Sequence, residues 1–371
     1  MTNHIVVLGA GYAGLGAAKR AARRLRTADA RVTLVNAADR FVERIRLHQL
    51  VAGRRLPDLP LAGLLDGTGI DLVVARVVGL DPGARTVRLD APPYELPYDV
   101  LVYALGSADD LDSVPGVREH AYSLGTADAA ARLRPRAAET DSVLVVGGGL
   151  TGIEAATELA SARPELRVSL LSADPVGPGL SVRGRRHIHR AFRRLGITVR
   201  ENAPVAKVGP DGVLLADGDE VRAETVVWAA GVRVPGLAAA SGLTTDARGR
   251  VVVDRALRSV SHPEVFAIGD AAAADRSGRP TRMACQTGLP MGLYAGSGVA
   301  DLLTGRRVRR AMFRYVWQNI SLGHHDGLTQ FTRPDDSPLD AVMTGRRSAT
   351  FKEAITRGTV WVMRHPGPYL L

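Results

Sequence analysis

The stretch that decides the fold is residues 4–20, HIVVLGAGYAGLGAAKR. Its four consecutive apolar residues are typical of a buried parallel strand, and the small residues that follow the glycines predict a helix. In such a unit Gly9 makes the sharp turn, Gly11 lets the backbone approach a pyrophosphate, and Gly14 lets the helix pack closely on the strand. The free N–H groups and positive dipole end of the helix then face the phosphates. The stretch therefore predicts a dinucleotide site.

The same pattern returns in residues 142–156, SVLVVGGGLTGIEAA. Strand, glycine turn and small-residue helix follow in the same order, with glycines in the same three places, Gly147, Gly149 and Gly152. A duplicated structural turn without a ligand is the alternative, but the shared spacing favours a second dinucleotide. Two such motifs in one chain predict two dinucleotides that meet face to face.

Length and composition set the class of protein. The 371 residues are enough for two or three domains of roughly 100–200 residues each. Cys285 is the only cysteine, which excludes an intrachain disulfide and any mechanism that passes electrons through a cysteine pair. The formal charge is +10, but the arginines are scattered and aromatic residues are few. A nucleic-acid surface shows a dense basic stripe with stacking aromatics, so no nucleic-acid partner is expected.

Hydropathy indicates where the protein works. No apolar run approaches the roughly 18 residues of a spanning helix. The N-terminus enters a strand at once and leaves no room for a signal peptide. We therefore expect a cytoplasmic protein, with at most peripheral contact at the inner face of the membrane through attraction to anionic headgroups.

Residues that follow the first glycine motif are candidates for cofactor contacts. Residues 31–36 predict the second strand of the unit, and Asn36 stands where an acidic residue usually meets the ribose. Residues 41–50 predict a helix that carries Arg44 and His48 on one face. A solvated charged face is an equal alternative to a cofactor contact there. Short strands are predicted over 73–77 and 86–89, and a strand over 98–107 that ends at Gly106 and Ser107.

The second half of the chain continues the pattern. The region 108–140 predicts a linker with a short helix. The strand at 167–172 ends at Ser172, where an acidic residue would select NADH over NADPH. Since Asp174 is close by and three arginines follow, the nucleotide preference stays open; these are Arg183, Arg185 and Arg186. The segment 185–194 predicts a basic helix, not a metal site, because His187 and His189 have no third ligand at suitable spacing.

Later strands end in small or acidic residues. The strand at 225–231 ends at Gly231, and the strand at 263–270 ends at Asp270, after which the four alanines predict a helix. Asp270 can accept a hydrogen bond from a sugar or ribityl hydroxyl; a helix N-cap is the alternative. Residues 282–292 begin another helix. The tail predicts strands at 313–321 and 328–331, then a helix at 349–364 that packs on the core, forms a dimer or lies on a membrane.

Together these signals resemble the FAD-dependent pyridine nucleotide oxidoreductases, and most closely the type II NADH dehydrogenase branch with its apoptosis-inducing-factor-like relatives. The resemblance covers nearly the whole chain. It implies an α/β fold with two Rossmann-like domains, the NAD(P) domain inserted in the FAD domain, and a small α+β C-terminal domain. The implied boundaries are 1–112 with 246–304 for FAD, 113–245 for NAD(P)H, and 305–371 for the C-terminal domain.

The resemblance also implies site residues. One group would hold FAD, with Asn36 at the adenosine ribose, the Val77 backbone at the adenine and Asp270 at the ribityl chain. The members of this group are Gly9, Gly11, Tyr12, Ala13, Gly14, Asn36, Arg44, Val77, Ala104, Gly106, Gly269 and Asp270. A second group would hold NADH or NADPH, with Glu154 near the nicotinamide ribose: Gly147, Gly149, Leu150, Thr151, Gly152, Glu154, Ser172 and Gly231. Gln286 and His48 are the candidate catalytic residues, which would tune the flavin or touch the acceptor.

The implied activity is hydride transfer from NAD(P)H to FAD, followed by electron transfer to a small-molecule acceptor, with a quinone as the leading candidate. Gln286 matches the first glutamine of the quinone-site pattern of type II NADH dehydrogenases, but Pro290 and Met291 stand where its glutamine pair would be. A soluble FAD-dependent dehydrogenase or oxidase of a specialised small molecule is one alternative. A redox-sensing flavoprotein that acts through a protein partner is another. A homodimer is left open.

Overall fold

The computed structural model describes residues 2–276, 279–312 and 314–365. Its first sheet has five parallel strands with the first glycine-motif strand at the centre. In spatial order the strands are Val265–Ala267, Val100–Tyr103, Asn3–Leu8, Ala30–Asn36 and Ile70–Val74. The central strand is fully buried from Ile5 to Leu8, as its continuous apolar sequence predicts.

The second sheet repeats this arrangement around the second glycine motif. Its five parallel strands are, in order, Thr198–Arg200, Arg167–Leu171, Ser142–Val146, Thr225–Trp228 and Ala121–Ser123. All of them lie in the chain between two strands of the first sheet, Val100–Tyr103 and Val265–Ala267. The second Rossmann-like unit is therefore inserted in the first.

The two longest helices of the first unit pack directly against each other. The helix Tyr12–Leu25 follows the first glycine turn, and the helix Cys285–Leu303 lies along it. A Cβ on Gly292 would lie 2.1 Å from the carbonyl oxygen of Ala13, and one on Gly296 would lie 2.4 Å from that of Ala17. The backbones approach so closely that only glycine fits at these two positions.

Three antiparallel sheets of three strands each accompany the two parallel sheets. One contains Val77–Asp81, Thr86–Leu89 and Glu95–Pro97, and a second contains Val205–Gly209, Gly212–Leu215 and Glu220–Arg222. The third, the C-terminal sheet, contains Trp317–Ser321, Gly327–Thr332 and Pro338–Thr344. The C-terminal helix, Gly345–Arg364, follows it and packs on its strands.

The remaining elements are short or connect the sheets. The other helices are Leu47–Val51, Leu61–Leu65, Val117–His120, Ala127–Glu139, Leu150–Ala162, Val182–Arg194 and Leu237–Ala240, with 3₁₀ turns at Arg44–Arg46 and Gly269–Ala271. Short strands pair as Ala108–Asp109 with Val232–Arg233, Val251–Val252 with Ala272–Ala273, and Asp275–Arg276 with Arg279–Pro280.

The predicted helix over 41–50 is wrong in its first half. The Phe41 N–H donates to the Leu59 carbonyl, and the Phe41 ring packs edge-on against Tyr12 with centroids 5.1 Å apart. These contacts hold the chain extended, so regular helix begins only at Leu47. Arg44 and His48 therefore do not share one helical face.

Two other predictions fail for similar reasons. The strand over 73–77 is wrong because the chain leaves the parallel sheet at Val74 and enters an antiparallel sheet at Val77. The helix after Asp270 is wrong because Ala272–Ala273 pairs with Val251–Val252 as a strand. In both cases tertiary pairing overrides the local pattern.

The linker and tail hold more structure than predicted. The region 108–140 contains the strand Ala121–Ser123, which joins the second sheet, and the 13-residue helix Ala127–Glu139. The predicted strand at 313–321 begins at Trp317, and Phe313 lies outside the described residues. The third strand of the C-terminal sheet has no counterpart in the prediction.

Two candidate dinucleotide sites

The first glycine turn is built by close backbone approach. Gly9 has φ +95°, and a Cβ there would lie 2.5 Å from the Ala104 carbonyl oxygen. A Cβ on Gly14 would lie 1.8 Å from the Gly9 carbonyl oxygen. A Cβ on Gly11 would meet nothing within 4 Å. Two glycines are therefore required by the fold, and the middle one faces open space, as a ligand cradle needs.

The second glycine turn has nearly the same geometry. Gly147 has φ +130°, and its Cβ would lie 2.5 Å from the Ala229 carbonyl oxygen. A Cβ on Gly152 would lie 1.9 Å from the Gly147 carbonyl oxygen, whereas one on Gly149 would meet nothing within 4 Å. The repeated motif is thus a repeated structure, with the same open position.

Both helices begin without a side-chain cap. Gly11 and Gly149 occupy the N-cap positions, and neither helix has a side-chain hydrogen bond to its first turn. The first N–H groups of a helix have no partner within the helix and need one from outside. Those of Tyr12, Ala13 and Gly14, and of Leu150, Thr151 and Gly152, are therefore donors placed for an anion.

Asn36 ends a strand of the first sheet and Ser172 follows the equivalent strand of the second, but their side chains have different contacts. The Asn36 Oδ1 accepts a hydrogen bond from the Ala10 N–H at 2.9 Å, and its Nδ2 donates to the Ala38 carbonyl at 2.7 Å. Asn36 thus holds the first glycine turn in place. Ser172 is 5% exposed and lies beneath the second turn, where a Cβ on Gly148 would lie 2.1 Å from its Oγ.

The ends of two neighbouring strands of the first sheet converge on a polar cluster. The Ser107 Oγ donates to Asp270 Oδ2 at 2.6 Å, and Arg44 Nη1 donates to the Ser107 carbonyl at 2.8 Å. Gly106 and Gly269, one residue before each partner, have φ +67°. The structure therefore brings Arg44 and Asp270 together at the carboxyl edge of the sheet, where α/β proteins bind ligands.

Glu154 and His48 also meet. The Glu154 Oε1 accepts from the Ser321 N–H at 2.9 Å and forms an ion pair with Lys352 Nζ. His48 Nδ1 lies 3.7 Å from Glu154 Oε2. Sequence reasoning missed Lys352, because its position on the C-terminal helix gives no sign of a partner almost 200 residues earlier in the chain.

Burial and charge set the protonation of this cluster, which we call the Glu154 cluster (His48, Glu154 and Lys352). Burial lowers the pKa of His48 to about 4 against the opposing effect of Glu154, so the ring is neutral near pH 7. Its Nε2 is buried with no hydrogen-bond partner among the described residues. Burial is the largest single influence on the pKa of Glu154 and raises it. Lys352, His48 and the Ser321 N–H together lower the pKa by more, so it lies below its usual value.

An adjacent ion pair anchors the C-terminal helix to the first unit. Glu353 accepts two hydrogen bonds from the Arg46 guanidinium, each 2.9 Å long. Its neighbour Lys352 contacts Glu154 of the second unit. The C-terminal helix therefore links both units at the edge of the two sites.

Among the described residues, three predicted site residues form no hydrogen bond with the members of these clusters. Gln286 is half-buried in the first turn of the helix Cys285–Leu303, which also begins without a side-chain cap. Val77 begins an antiparallel strand, and Gly231, with φ +90°, follows the strand Thr225–Trp228. Within the described ranges, no three His, Cys, Asp or Glu residues group as metal ligands, and no helix has the length and hydropathy needed to cross a bilayer.

Comparison with known proteins agrees with this architecture. An NADH dehydrogenase-like protein of Mycobacterium tuberculosis is 36% identical over 323 residues, covering 80% of each chain. A type II NADH:quinone oxidoreductase of Staphylococcus saprophyticus is 28% identical and covers 96% of this chain and 95% of its own.

Solved structures show the same fold. NDH2 from Plasmodium falciparum, solved in complex with NADH, superposes with a TM-score of 0.82 at 14% identity over 98% of each chain. The sulfide:quinone oxidoreductase from Aquifex aeolicus superposes with a TM-score of 0.83 at 21% identity, covering 98% of this chain and 91% of its own. The model of the pyridine nucleotide-disulphide oxidoreductase family matches residues 3–292. The chain is therefore a member of the pyridine nucleotide-disulphide oxidoreductase family, although its single cysteine excludes an intrachain disulfide.

Proposed function

We propose that this protein is an FAD-dependent oxidoreductase that takes a hydride from NADH and passes the electrons to a quinone. The observation that carries the proposal is the pair of glycine turns, each with an open middle glycine in front of an uncapped helix N-terminus. One turn suits the pyrophosphate of FAD and the other that of NADH. The relatives named as NADH dehydrogenase-like and NADH:quinone oxidoreductases support the same assignment.

The first site fits FAD through the groups already described. The N–H groups of Tyr12, Ala13 and Gly14 would hold the pyrophosphate, with Gly9 and Gly11 shaping the turn. Asn36 keeps an amide N–H for the adenosine ribose after accepting from the Ala10 N–H and donating to the Ala38 carbonyl. Asp270, already hydrogen-bonded to Ser107, keeps acceptor capacity for the ribityl chain, and Arg44 supports that pair. Val77, Ala104, Gly106 and Gly269 would line the same site.

The second site fits NADH. The N–H groups of Leu150, Thr151 and Gly152 would hold its pyrophosphate. The open Gly149 would let the backbone approach it, with Gly147 and Gly231 shaping the site. Glu154 would lie near the nicotinamide ribose. Ser172 carries no charge and is buried beneath the turn, so it would discriminate little against NADPH. The names of the relatives favour NADH.

The chain's part in the reaction is binding, orientation and control of charge. A bound flavin ring supplies the redox chemistry, accepting a hydride and then releasing electrons. Lys352 and the Ser321 N–H fix the Glu154 carboxylate, and neutral His48 adds no charge beside it. Gln286, in the first turn of its helix, would tune the flavin or contact the acceptor.

The choice of quinone is tested by turnover. Purified holoprotein is mixed with NADH under nitrogen, and a water-soluble quinone is then added. We expect NADH oxidation that depends on the quinone, with a lower rate in Gln286→Ala and unchanged flavin content. Flavin that NADH reduces but no quinone reoxidises would contradict the quinone assignment. Flavin that neither NADH nor NADPH reduces would favour an oxidase or dehydrogenase of another small molecule.

We also propose the domain boundaries given above, a homodimer and peripheral membrane contact. The exposed arginines would supply the attraction to anionic headgroups. Gel filtration with light scattering, and sedimentation with vesicles, would decide the last two.

A further inference from the structure

A cationic cavity lies beside the second half of the helix Tyr12–Leu25, away from the first glycine turn. It has a volume of about 770 Å³ and lies between the helix Tyr12–Leu25, residues 59–68 and the end of the C-terminal helix. Lys19 lines it, eight residues beyond Gly11, which is roughly 12 Å along the helix axis. The cavity is therefore separate from the pyrophosphate cradle at the start of the same helix.

Lys19 is a buried cation whose described partners are uncharged. The residue is 4% exposed, and its Nζ donates to the Leu64 carbonyl at 2.8 Å and to the Arg364 carbonyl at 3.1 Å. Each carbonyl belongs to the last turn of a helix, where a cation is favourable. Among the described residues no carboxylate lies within 4.0 Å of this ammonium group.

The lining of the cavity adds further positive charge. Arg23, Arg26 and Arg364 line it together with Lys19, and Asp66 is the single carboxylate among the described lining residues. Burial, and then the Arg364 charge, lower the pKa of Lys19. Taking a charge out of water is expensive unless an opposite charge compensates it. Among the described lining residues, Asp66 supplies one negative charge beside four cationic side chains.

Helix capping explains only part of the geometry. An ammonium group has three donors, and the two carbonyls occupy two of them. Within the part of the chain that the structure describes, the third donor of Lys19 has no hydrogen-bond partner and its charge has no ion-pair partner. Arginine and lysine together are the usual partners of phosphate groups, and the volume lies in the range of about 300–1,000 Å³ typical of small-ligand sites.

We propose that this cavity binds a small, multiply charged anion of the phosphate class, with Lys19 as its central contact. The phosphate has two sources that share this chemistry: a free solute or a lipid headgroup. A headgroup is a candidate because the cavity-lining His365 packs against Trp361, which is 53% exposed, with ring centroids 4.9 Å apart.

The test measures pyrophosphate binding and not NADH oxidation, so failure of the quinone assignment leaves its outcome unchanged. Flavin-loaded protein is first saturated with NAD⁺, which fills the second glycine turn, and is then titrated with pyrophosphate in a calorimeter. We expect Lys19→Met to weaken binding by about tenfold and Arg26→Glu by about fivefold, because each removes a charge-assisted contact. The matched control Arg55→Glu makes the same charge change at an exposed arginine outside the cavity and should leave binding unchanged.

The second arm distinguishes the sources. The same four proteins are sedimented with vesicles of phosphatidylcholine that contain phosphatidylglycerol. Binding to vesicles but not to pyrophosphate, lost in Lys19→Met and Arg26→Glu, would identify the headgroup as the source. Arg26 is exposed, so its replacement tests the cavity even where Lys19→Met fails to fold. Absence of binding in both arms, or equal binding by wild type and both cavity variants, would overturn the proposal.

Discussion

The two glycine turns have the same backbone geometry but different surroundings. In each, the third glycine approaches the carbonyl of the first so closely that a Cβ would lie 1.8 Å or 1.9 Å from the oxygen. Two residues further along each helix the units diverge. Gly16 faces Leu289 of the helix Cys285–Leu303, whereas Glu154 meets Lys352 of the C-terminal helix.

This difference shows which part of each site is set locally. The turn depends on steric contact within about ten residues and is repeated where the motif is repeated. The chemistry beside it depends on which distant element packs on the helix. The apolar helix Cys285–Leu303 packs on the helix of the first unit. The C-terminal sheet and helix contact Glu154 of the second unit through the Ser321 N–H and Lys352.

The largest expected effects come from the third glycine of each turn. Gly14→Ala should abolish FAD binding and lower the free energy of unfolding by about 3 kcal/mol or more, because the new Cβ collides with backbone. Gly152→Ala should instead give yellow protein that NADH no longer reduces. Flavin absorbance per protein and anaerobic reduction measure the two effects.

The middle glycines provide the matched control. Gly11→Ala and Gly149→Ala add a Cβ that meets nothing in the protein. Both variants should therefore unfold like wild type and lose only cofactor affinity, one for FAD and the other for NADH. A loss of stability equal to that of the third-glycine variants would show that the steric distinction is wrong.

The next prediction concerns the ion pair between Glu154 and Lys352 beside the second glycine turn. Glu154→Gln leaves Lys352 without its counter-charge, and we expect the free energy of unfolding to fall by about 2–3 kcal/mol. Adding Lys352→Met should restore part of that loss. Urea denaturation of the two single variants and the double variant gives the coupling energy. Additive losses would mean that the ion pair contributes nothing.

His48 should make stability depend on pH. The unfolded side chain takes up a proton as the pH falls below 6.5, but the folded one does so only near a pKa of about 4. Its contribution is therefore complete above pH 6.5 and is lost as the pH falls toward 4. Between about pH 7.5 and about pH 5 we expect a loss of about 2 kcal/mol that His48→Gln does not show. Equal losses in both proteins would exclude His48 as the cause.

The smallest expected effects are those of replacing Asn36 and Ser172, which lie at the ends of equivalent strands in the two units. Asn36→Ala removes the hydrogen bond to the Ala10 N–H and should weaken FAD binding about fivefold, the equivalent of about 1 kcal/mol. Ser172→Ala should change NADH affinity less, because this side chain packs beneath the turn. Fluorescence titration of apoprotein with FAD, and of holoprotein with NADH, gives both constants. A change in NADH affinity for Ser172→Ala that is larger than the change in FAD affinity for Asn36→Ala would contradict the roles assigned to these two residues.

Much of the fold could be predicted because its main determinants are local. The apolar run before Gly9, the glycine spacing and the small residues of the helix together specify a strand–turn–helix unit. Predictions failed where a distant segment decided the conformation. Phe41 is held extended by Leu59 and Tyr12, and the alanines after Asp270 pair with Val251–Val252.

The candidate site divides in the same way. The cradle glycines follow from the motif, and Asp270 follows from its place at a strand end. Lys352, Ser107 and the bidentate Arg46–Glu353 pair depend on side chains far apart in sequence. No periodicity in a single sequence indicates such pairs, so only the folded chain shows that Glu154 and His48 share one cluster.

The most direct test of the central claim is anaerobic titration of the purified protein with NADH, monitored by the flavin absorbance at about 450 nm. If both turns hold their dinucleotides at once, the yellow colour disappears as NADH is added, and Gly149→Ala protein bleaches only at higher NADH concentration. Protein that is colourless and takes up no added FAD, or a flavin that neither NADH nor NADPH bleaches, would contradict the claim.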